Sequence, residues 1–273
     1  MPTTTQAVIL ARGLGTRMQR DDGVVLGDAQ RAAAAGGAKG MMPITGGRPF
    51  LDYVLSALAD GGITEVVLVV PPDHATMREY FTRTAPPTRV TIRFAVQEQP
   101  RGTADAVFAA RDAVRNAPFL ALNADNYYSA PTVRAVAALE TNGLAAFEAH
   151  ALVAQSGIEP ERVLRFALLD IDADDRLAEI VEKPAPDHPL AVAAERWVSM
   201  NLWSFTPVIF DACARVHPSV RGELELQSAV TIAMRDLGVP FRVARVRDGV
   251  LDLSHRGDVG AVSARLAGVV PRP

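Results

Sequence analysis

Gly13, Gly15, Thr16 and Arg17 have the types and spacing to hold a phosphate group. They follow an apolar run, Ala7-Val8-Ile9-Leu10-Ala11, that reads as a buried strand. Glycines let backbone amides approach a bulky anion, and Arg17 sets a permanent positive charge beside them. The stretch Leu10-Ala11-Arg12-Gly13-Leu14-Gly15-Thr16-Arg17 is therefore a candidate phosphate cradle. It is not a Walker loop, which needs a longer spacer and a Gly-Lys-Ser/Thr end. Nor is it the dinucleotide fingerprint, because Met18 stands where that motif needs its third glycine. A Gly-x-Gly pair after a strand also serves as an ordinary strand-to-helix turn; the Thr-Arg that follows favours phosphate.

The elements around this turn suggest how other polar residues reach it. Strands are expected over 6–11, 65–70, 90–96 and 119–123, with helices over 51–61, 74–82 and 103–116. Continuous apolar strands separated by helices predict an α/β fold with a mostly parallel sheet covered on both faces. Ligands collect at the carboxyl ends of such strands. Gly13, Gly15 and Arg17 follow one strand end, Gln97 a second and Asp125 a third, so residues distant in sequence converge on one edge. The stretch from Met18 to Lys39 contains Asp21-Asp22-Gly23, a helical pattern over 28–35 and a terminating Gly36-Gly37. It reads as a mobile flap over the cradle, or else as a surface insertion without a role.

The second half changes pattern. Strands are expected over 144–153, 163–171, 176–181 and 197–205, with turns at Gly157-Ile158-Glu159-Pro160 and over 172–175. This is a hairpin-rich, antiparallel arrangement. A helix over 223–237, strands over 241–246 and 249–253, and a helix over 258–267 complete the chain.

Composition bounds the function. The 273 residues suffice for one large core, and 49% hydrophobic with 22% charged residues suits a globular protein. A net charge of −3 argues against a nucleic-acid partner, so an anion must be bound by local groups. No apolar stretch reaches the ~20 residues of a membrane span. The opening Met-Pro-Thr-Thr-Thr-Gln has no leader pattern, which makes a cytoplasmic location the default expectation. Cys213 is the single cysteine, so an internal disulfide and a cysteine metal cluster are excluded, and the residue is expected buried on a helix. His74, His150, His188, His217 and His255 show no ligand spacing, and Trp197 and Trp203 are expected in a core or interface.

Further blocks follow the cradle in a recognisable order. They are Lys39 to Pro43 with Gly47-Arg48-Pro49-Phe50 and Tyr53, then Val96-Gln97-Glu98 with Gly102-Thr103-Ala104. Asn123-Ala124-Asp125-Asn126, Val181-Glu182-Lys183-Pro184, Arg221-Gly222-Glu223-Leu224-Glu225-Leu226 and Leu251-Asp252 come after them. Together these resemble the sugar-phosphate nucleotidyltransferases, and in pattern glucose-1-phosphate thymidylyltransferases and uridylyltransferases. The resemblance runs from about Gln6 to about Gly257. It implies a Rossmann-like, three-layer α/β/α (GT-A-like) fold with a smaller antiparallel sugar-binding part. It also implies one nucleotidyltransferase domain over 1–273, with a nucleotide-binding half over about 1–128 and a sugar-phosphate-binding half over about 129–273. The β-helix acyltransferase extension of bifunctional relatives is not expected, and relatives often form homo-oligomers. Three features depart from the pattern: Arg12 replaces a small residue, the segment between Arg17 and Lys39 is long, and Gln227 stands where many relatives carry aspartate.

The implied reaction is attack by a sugar 1-phosphate oxygen on the α-phosphorus of an NTP, releasing pyrophosphate. The nucleophile is a phosphate monoester whose second pKa is about 6, so no general base is needed. The task is to position two polyanions and quench their repulsion. The resemblance assigns Arg17 and Lys39 to catalysis. Leu10, Ala11, Gly13, Gly15, Thr16, Gln97, Gly102 and Thr103 are assigned to nucleotide binding. Asn123, Glu182, Lys183 and Asn201 would bind the sugar phosphate, and Asp125 and Asp252 would hold Mg2+. Gln97 offers an amide that can read a pyrimidine imide edge, favouring dTTP or UTP. Two other readings stand beside this one: a cytidylyltransferase for another phosphorylated alcohol, and a homologue that binds nucleotide with little or no turnover.

Overall fold

The computed structural model describes residues 4–13, 15–20, 23–36 and 38–273. Residues 1–3 of the opening segment, Leu14 of the cradle, Asp21-Asp22 and Gly37 lie outside the described residues.

The strands are β1 (Gln6–Leu10), β2 (Glu65–Val70), β3 (Thr91–Val96), β4 (Phe119–Asn123), β5 (Asn126–Tyr128), β6 (Gly143–Glu148), β7 (Ala167–Ile171), β8 (Leu177–Glu182), β9 (Trp197–Phe205), β10 (Arg242–Val246) and β11 (Val250–Asp252). The helices are α1 (Thr16–Gln19), α2 (Asp28–Ala35), α3 (Phe50–Asp60), α4 (Ala75–Glu79), α5 (Thr103–Ala109) and α6 (Ala130–Ala137). They continue with α7 (Ala149–Ser156), α8 (Pro189–Val192), α9 (Val208–Cys213), α10 (Leu226–Arg235) and α11 (Asp258–Arg265).

One sheet runs in the order β10-β6-β9-β4-β1-β2-β3, and β7 with β8 extends it from β9. Strands β1 to β4 are mutually parallel, as are β6 and β10, while β9 runs antiparallel between β4 and β6. The expected mostly parallel sheet with an antiparallel part is therefore present, and the β7–β8 hairpin belongs to the same sheet. Alternate side chains feed two cores, because successive residues of a strand point to opposite faces. Ala7 and Ile9 of β1 pack with Val66 and Leu68 on one face; Val8 packs with Val67 and Val69 on the other. Each fully buried Val, Leu or Ile contributes about 1.5–3 kcal/mol. Helix α3 closes the first face with Phe50, Leu51 and Leu55; α5, α9 and α10 close the second with Val107, Ile209 and Val230. This is the three-layer α/β/α arrangement.

Local chemistry moved several boundaries. The strand expected over 144–153 ends at Glu148, because the Glu148 carboxylate accepts hydrogen bonds from the N–H groups of His150 (2.9 Å) and Ala151 (2.8 Å) and starts α7. The strand expected from 163 begins at Ala167; Pro160–Arg165 is a 3-10 turn opened by its proline. Helix α5 stops at Ala109 instead of 116. Helix α10 starts at Leu226, since 223–225 lies extended against the turn before α5. Helix α6, not anticipated, is opened by Ser129, whose hydroxyl accepts from the Thr132 N–H, with Pro131 in its first turn. Helix α2 spans the expected residues, and Gly36 caps it through the Ala32 carbonyl at 3.1 Å. The segment read as a flap is pinned by Met18, Leu26 and Ala34, all buried in the first core. Cys213 is buried on α9, where burial pushes its thiol up to about 12. Trp203 is fully buried and stacks on Phe205.

Candidate active site

The carboxyl ends of β1, β3 and β4 meet around a cavity of about 460 Å³. The turn after β1 supplies Ala11, Gly13, Gly15, Thr16 and Arg17 to its wall. Gly15 adopts φ +60°, a conformation that glycine enters without strain, and this turns the chain into α1. Leu10 and Asn123 bring the ends of β1 and β4; Gln97 and the turn at Gly102 and Thr103 bring the end of β3 and the start of α5. Lys39 and Asp125 complete one side. Arg17, Lys39 and Asp125, separated widely in sequence, thus line a common hollow.

Lys39 Nζ donates to Asp125 Oδ2 at 2.8 Å, and both side chains are largely shielded from solvent. Arg17 is exposed and has no hydrogen-bond or ion-pair partner among the described residues, so its guanidinium is available to a ligand. Arg256 holds α1 in place: its Nε and Nη2 donate to the carbonyls of Met18 (2.9 Å) and Gln19 (3.0 Å).

Asp252 does not line this cavity. The β5–β11 ribbon pairs it with Asn126, one residue beyond Asp125, and Leu253 N–H donates to the Asp125 carbonyl at 2.8 Å. Asp252 Oδ1 accepts from Asn126 Nδ2 (3.3 Å) and Ser254 Oγ (2.9 Å), and Oδ2 from Arg162 Nη2 (3.2 Å). Burial pushes its carboxyl up to about 6, with the charge of Asp125 adding to the effect and the Ser254 hydrogen bond and Arg162 opposing it. Arg162, from the 3-10 turn, has no sequence signal for this role.

A second cavity of about 310 Å³ adjoins the first. Leu10, Arg17, Thr103, Asn123 and Glu223 belong to the walls of both. Its other polar residues include Glu182, Asn201, Arg221, Glu225 and Gln227. Asn201 reaches it through a bulge in β9 opposite β6, where it takes φ +61°, a conformation asparagine tolerates better than most residues. Gln227 Nε2 donates to Asn201 Oδ1 at 3.3 Å, so the residue that departs from the aspartate pattern orients this amide. Lys183 lines neither cavity. It sits past β8 at φ +48°, with its ammonium 3.6 Å from Glu182 Oε1.

Two of these residues make contacts that the sequence did not signal. Gly102, assigned above to nucleotide binding, lines the larger cavity. Its φ is +122°, and a Cβ there would lie 2.4 Å from the Leu224 carbonyl oxygen, so the close approach is to residue 224. Arg12, which replaces a small residue of the pattern, donates through Nε and Nη2 to the carbonyls of Gln97 (2.8 Å) and Glu98 (3.2 Å), tying the first turn to the end of β3. Glu223 and Arg221 had been noted only as part of a block, and the fold alone brings them to the cavities.

Among the described residues no helix is long and apolar enough to cross a membrane. The low-salt glycan biosynthesis nucleotidyltransferase Agl11 of Haloferax volcanii is 26% identical over 232 residues, covering 85% of this chain and 57% of its own. The UTP–glucose-1-phosphate uridylyltransferase AglF of the same organism is 26% identical over 261 residues, covering 96% of each. The fold is similar to that of a UDP-glucose pyrophosphorylase solved with UDP-glucose, with a TM-score of 0.74, 16% identity, and coverage of 97% of this chain and 98% of that one. The family described as nucleotidyl transferase matches residues 32–249, most of the chain. Its sheet order, its cavity at the strand ends and this match together make the chain a member of the nucleotidyl transferase family.

Proposed function

We propose that this enzyme transfers a nucleotidyl group from an NTP to a sugar 1-phosphate. The observation that carries the reading is the pair of adjoining cavities with Arg17, unpaired among the described residues, on the wall of both. The larger cavity, between the glycine turn and Gln97, takes the NTP. The smaller one, lined by amides and carboxylates suited to hydroxyl groups, takes the sugar 1-phosphate. The nucleotide half thus falls mainly within residues 1–128, with Glu223 reaching back from the second half.

The chain's residues act by position and charge. The sugar phosphate is already mostly dianionic near neutral pH, its second pKa being about 6, and it attacks without a general base. Arg17, at the junction, binds phosphate oxygens through its planar fork and offsets the repulsion between the two anions. Lys39, paired with Asp125, supplies a second positive charge beside the same cavity. Asn201, held by Gln227, and Glu182 orient sugar hydroxyls. Lys183 would need to rotate from Glu182 to reach the phosphate.

The donor set beside this cavity fits Mg2+, which accepts one or two carboxylates together with phosphate oxygens and water. Asp125 would hold it, and Asp252, brought next to it by the β5–β11 ribbon, would supply a second carboxylate. A bound Mg2+ neutralises phosphate charge.

Pyrophosphate release should be measured with a panel of NTPs and sugar 1-phosphates in Mg2+, with an EDTA control. Turnover with UTP or dTTP and a hexose 1-phosphate is expected. Turnover only with CTP and another phosphorylated alcohol would favour the cytidylyltransferase reading. NTP binding without pyrophosphate from any pair would favour a binding protein and overturn the proposal.

A further inference from the structure

Gln97 separates two hollows. On one side it forms part of the wall of the 460 Å³ cavity; on the other it borders a cavity of about 430 Å³ that Asp105 and Arg101 also line. The residue is 4% exposed. Its backbone is fixed from both directions: its N–H donates to the Val70 carbonyl at 2.9 Å, and its carbonyl accepts from Arg12 Nε at 2.8 Å. Its side-chain Nε2 donates to the Gly102 carbonyl at 3.1 Å and to Asp105 Oδ2 at 2.8 Å.

Both of those partners only accept. A peptide carbonyl and a carboxylate have no proton to give, so a reversed amide would aim Oε1 at two oxygens. The Asp105 bond is the stronger of the two, because a hydrogen bond to a charged acceptor outweighs one to a neutral carbonyl. With both Nε2 protons taken, Gln97 keeps only Oε1 for a ligand, and Oε1 has no hydrogen-bond partner among the described residues.

We propose that Asp105 is the positioning residue that sets base choice, by holding the Gln97 amide so that only an acceptor faces the nucleotide cavity. This rests on the reading that the 460 Å³ cavity takes an NTP. An acceptor at that point matches the imide N–H of uracil or thymine. Cytosine presents a lone pair at the same ring nitrogen, so two acceptors would face each other with no proton between them. Leaving such a pair unsatisfied in a shielded site lowers affinity on the order of tenfold or more. Asp105 acts from behind Gln97 and does not itself meet the base.

The test is equilibrium binding of UTP and CTP by calorimetry to the full chain and to Asp105→Ala, Asp105→Ser and Asp105→Asn, each checked by circular dichroism. The unaltered chain is expected to bind UTP about tenfold or more tightly than CTP. Asp105→Ala, at a side chain about one-fifth exposed, should bring the two affinities several-fold closer, and Asp105→Ser repeats the same loss of the carboxylate should the alanine variant fail to fold. Asp105→Asn, whose Oδ1 can still accept from Gln97, should keep most of the preference. An unchanged ratio in both carboxylate-free variants, or an equal fall for UTP and CTP, would overturn the role of Asp105 while leaving nucleotide binding intact. Failure of the unaltered chain to bind either nucleotide would overturn the nucleotide reading itself, and this proposal with it.

Discussion

Replacing Gly102 with alanine tests how the turn before α5 is built. Gly102 sits at φ +122° and ψ 179°, a region essentially reserved for glycine. Forcing a side chain into it costs about 1–3 kcal/mol. The added methyl would lie 2.4 Å from the Leu224 oxygen and 2.6 Å from the Leu224 nitrogen, where about 3.5–4.0 Å is comfortable for carbon contacts. Neither neighbour is a flexible side-chain tip, so the 223–226 segment must retreat. Two hydrogen bonds join that segment to the turn: Leu224 N–H to the Arg101 carbonyl (2.7 Å) and Ala104 N–H to the Leu224 carbonyl (2.9 Å). Each contributes about 1 kcal/mol net. The whole penalty is about 3–5 kcal/mol, a large share of the 5–15 kcal/mol typical of a folded domain. Urea unfolding of Gly102→Ala beside the unaltered chain measures it, provided the slope with denaturant is unchanged. The same turn carries the Gly102 carbonyl that holds Gln97 and the edge shared by Thr103 and Glu223, so UTP binding should weaken in parallel. A loss below about 1 kcal/mol would mean that residues 102 and 224 are not in the contact described.

The other expectations concern single side chains. Asp125→Asn should lower pyrophosphate release by two orders of magnitude or more while leaving the circular dichroism spectrum unchanged; retained activity would remove Asp125 from the reacting centre. Arg12→Ala removes two charge-assisted hydrogen bonds to the Gln97 and Glu98 carbonyls and should raise KM for the NTP about tenfold or more, with a smaller effect on kcat. An unchanged KM would show that the clamp does not position the end of β3. Glu148→Ala should cost about 1 kcal/mol at pH 7 through loss of the α7 cap. Burial works against ionisation of Glu148, but the N–H groups of His150 and Ala151 outweigh it and hold the carboxyl below the usual range. The folded-state value is the lower one, so this contribution is complete above the unfolded value of about 4.3 and is lost as pH falls through the folded one. Urea midpoints of the two chains should therefore converge as pH falls through the folded-state value; a gap that persists once the carboxyl is protonated would refute the cap's dependence on charge.

Much of the fold was legible because hydrophobic periodicity is a local property. The runs that became β2, β4 and β9 carried their own boundaries, and alternating strands and helices implied the parallel core. Boundaries failed where a single residue redirected the backbone. Glu148 ended a run that reads as continuous strand, and Pro160 turned the start of another into a 3-10 turn. For the candidate site, the phosphate turn and the strand-end residues were readable because glycine and charge at a strand terminus have a local meaning. The roles of Arg12, Asp105 and Arg162 were not, since each acts through a partner 8 to 90 positions away.

The order of residues by itself determined that this chain would form a layered α/β protein and would place Gly15, Arg17, Gln97 and Asp125 at strand ends. Side-chain type and spacing suffice for that, because strands and helices are set by neighbours along the chain. Only the tertiary structure decided which charges meet. It paired Lys39 with Asp125, set Asp252 behind it among Asn126, Ser254 and Arg162, and put Arg17 on the wall of two cavities at once. Electrostatics and hydrogen bonding depend on distance and burial in space, and those quantities exist only once segments such as 97–105 and 221–227 have packed together.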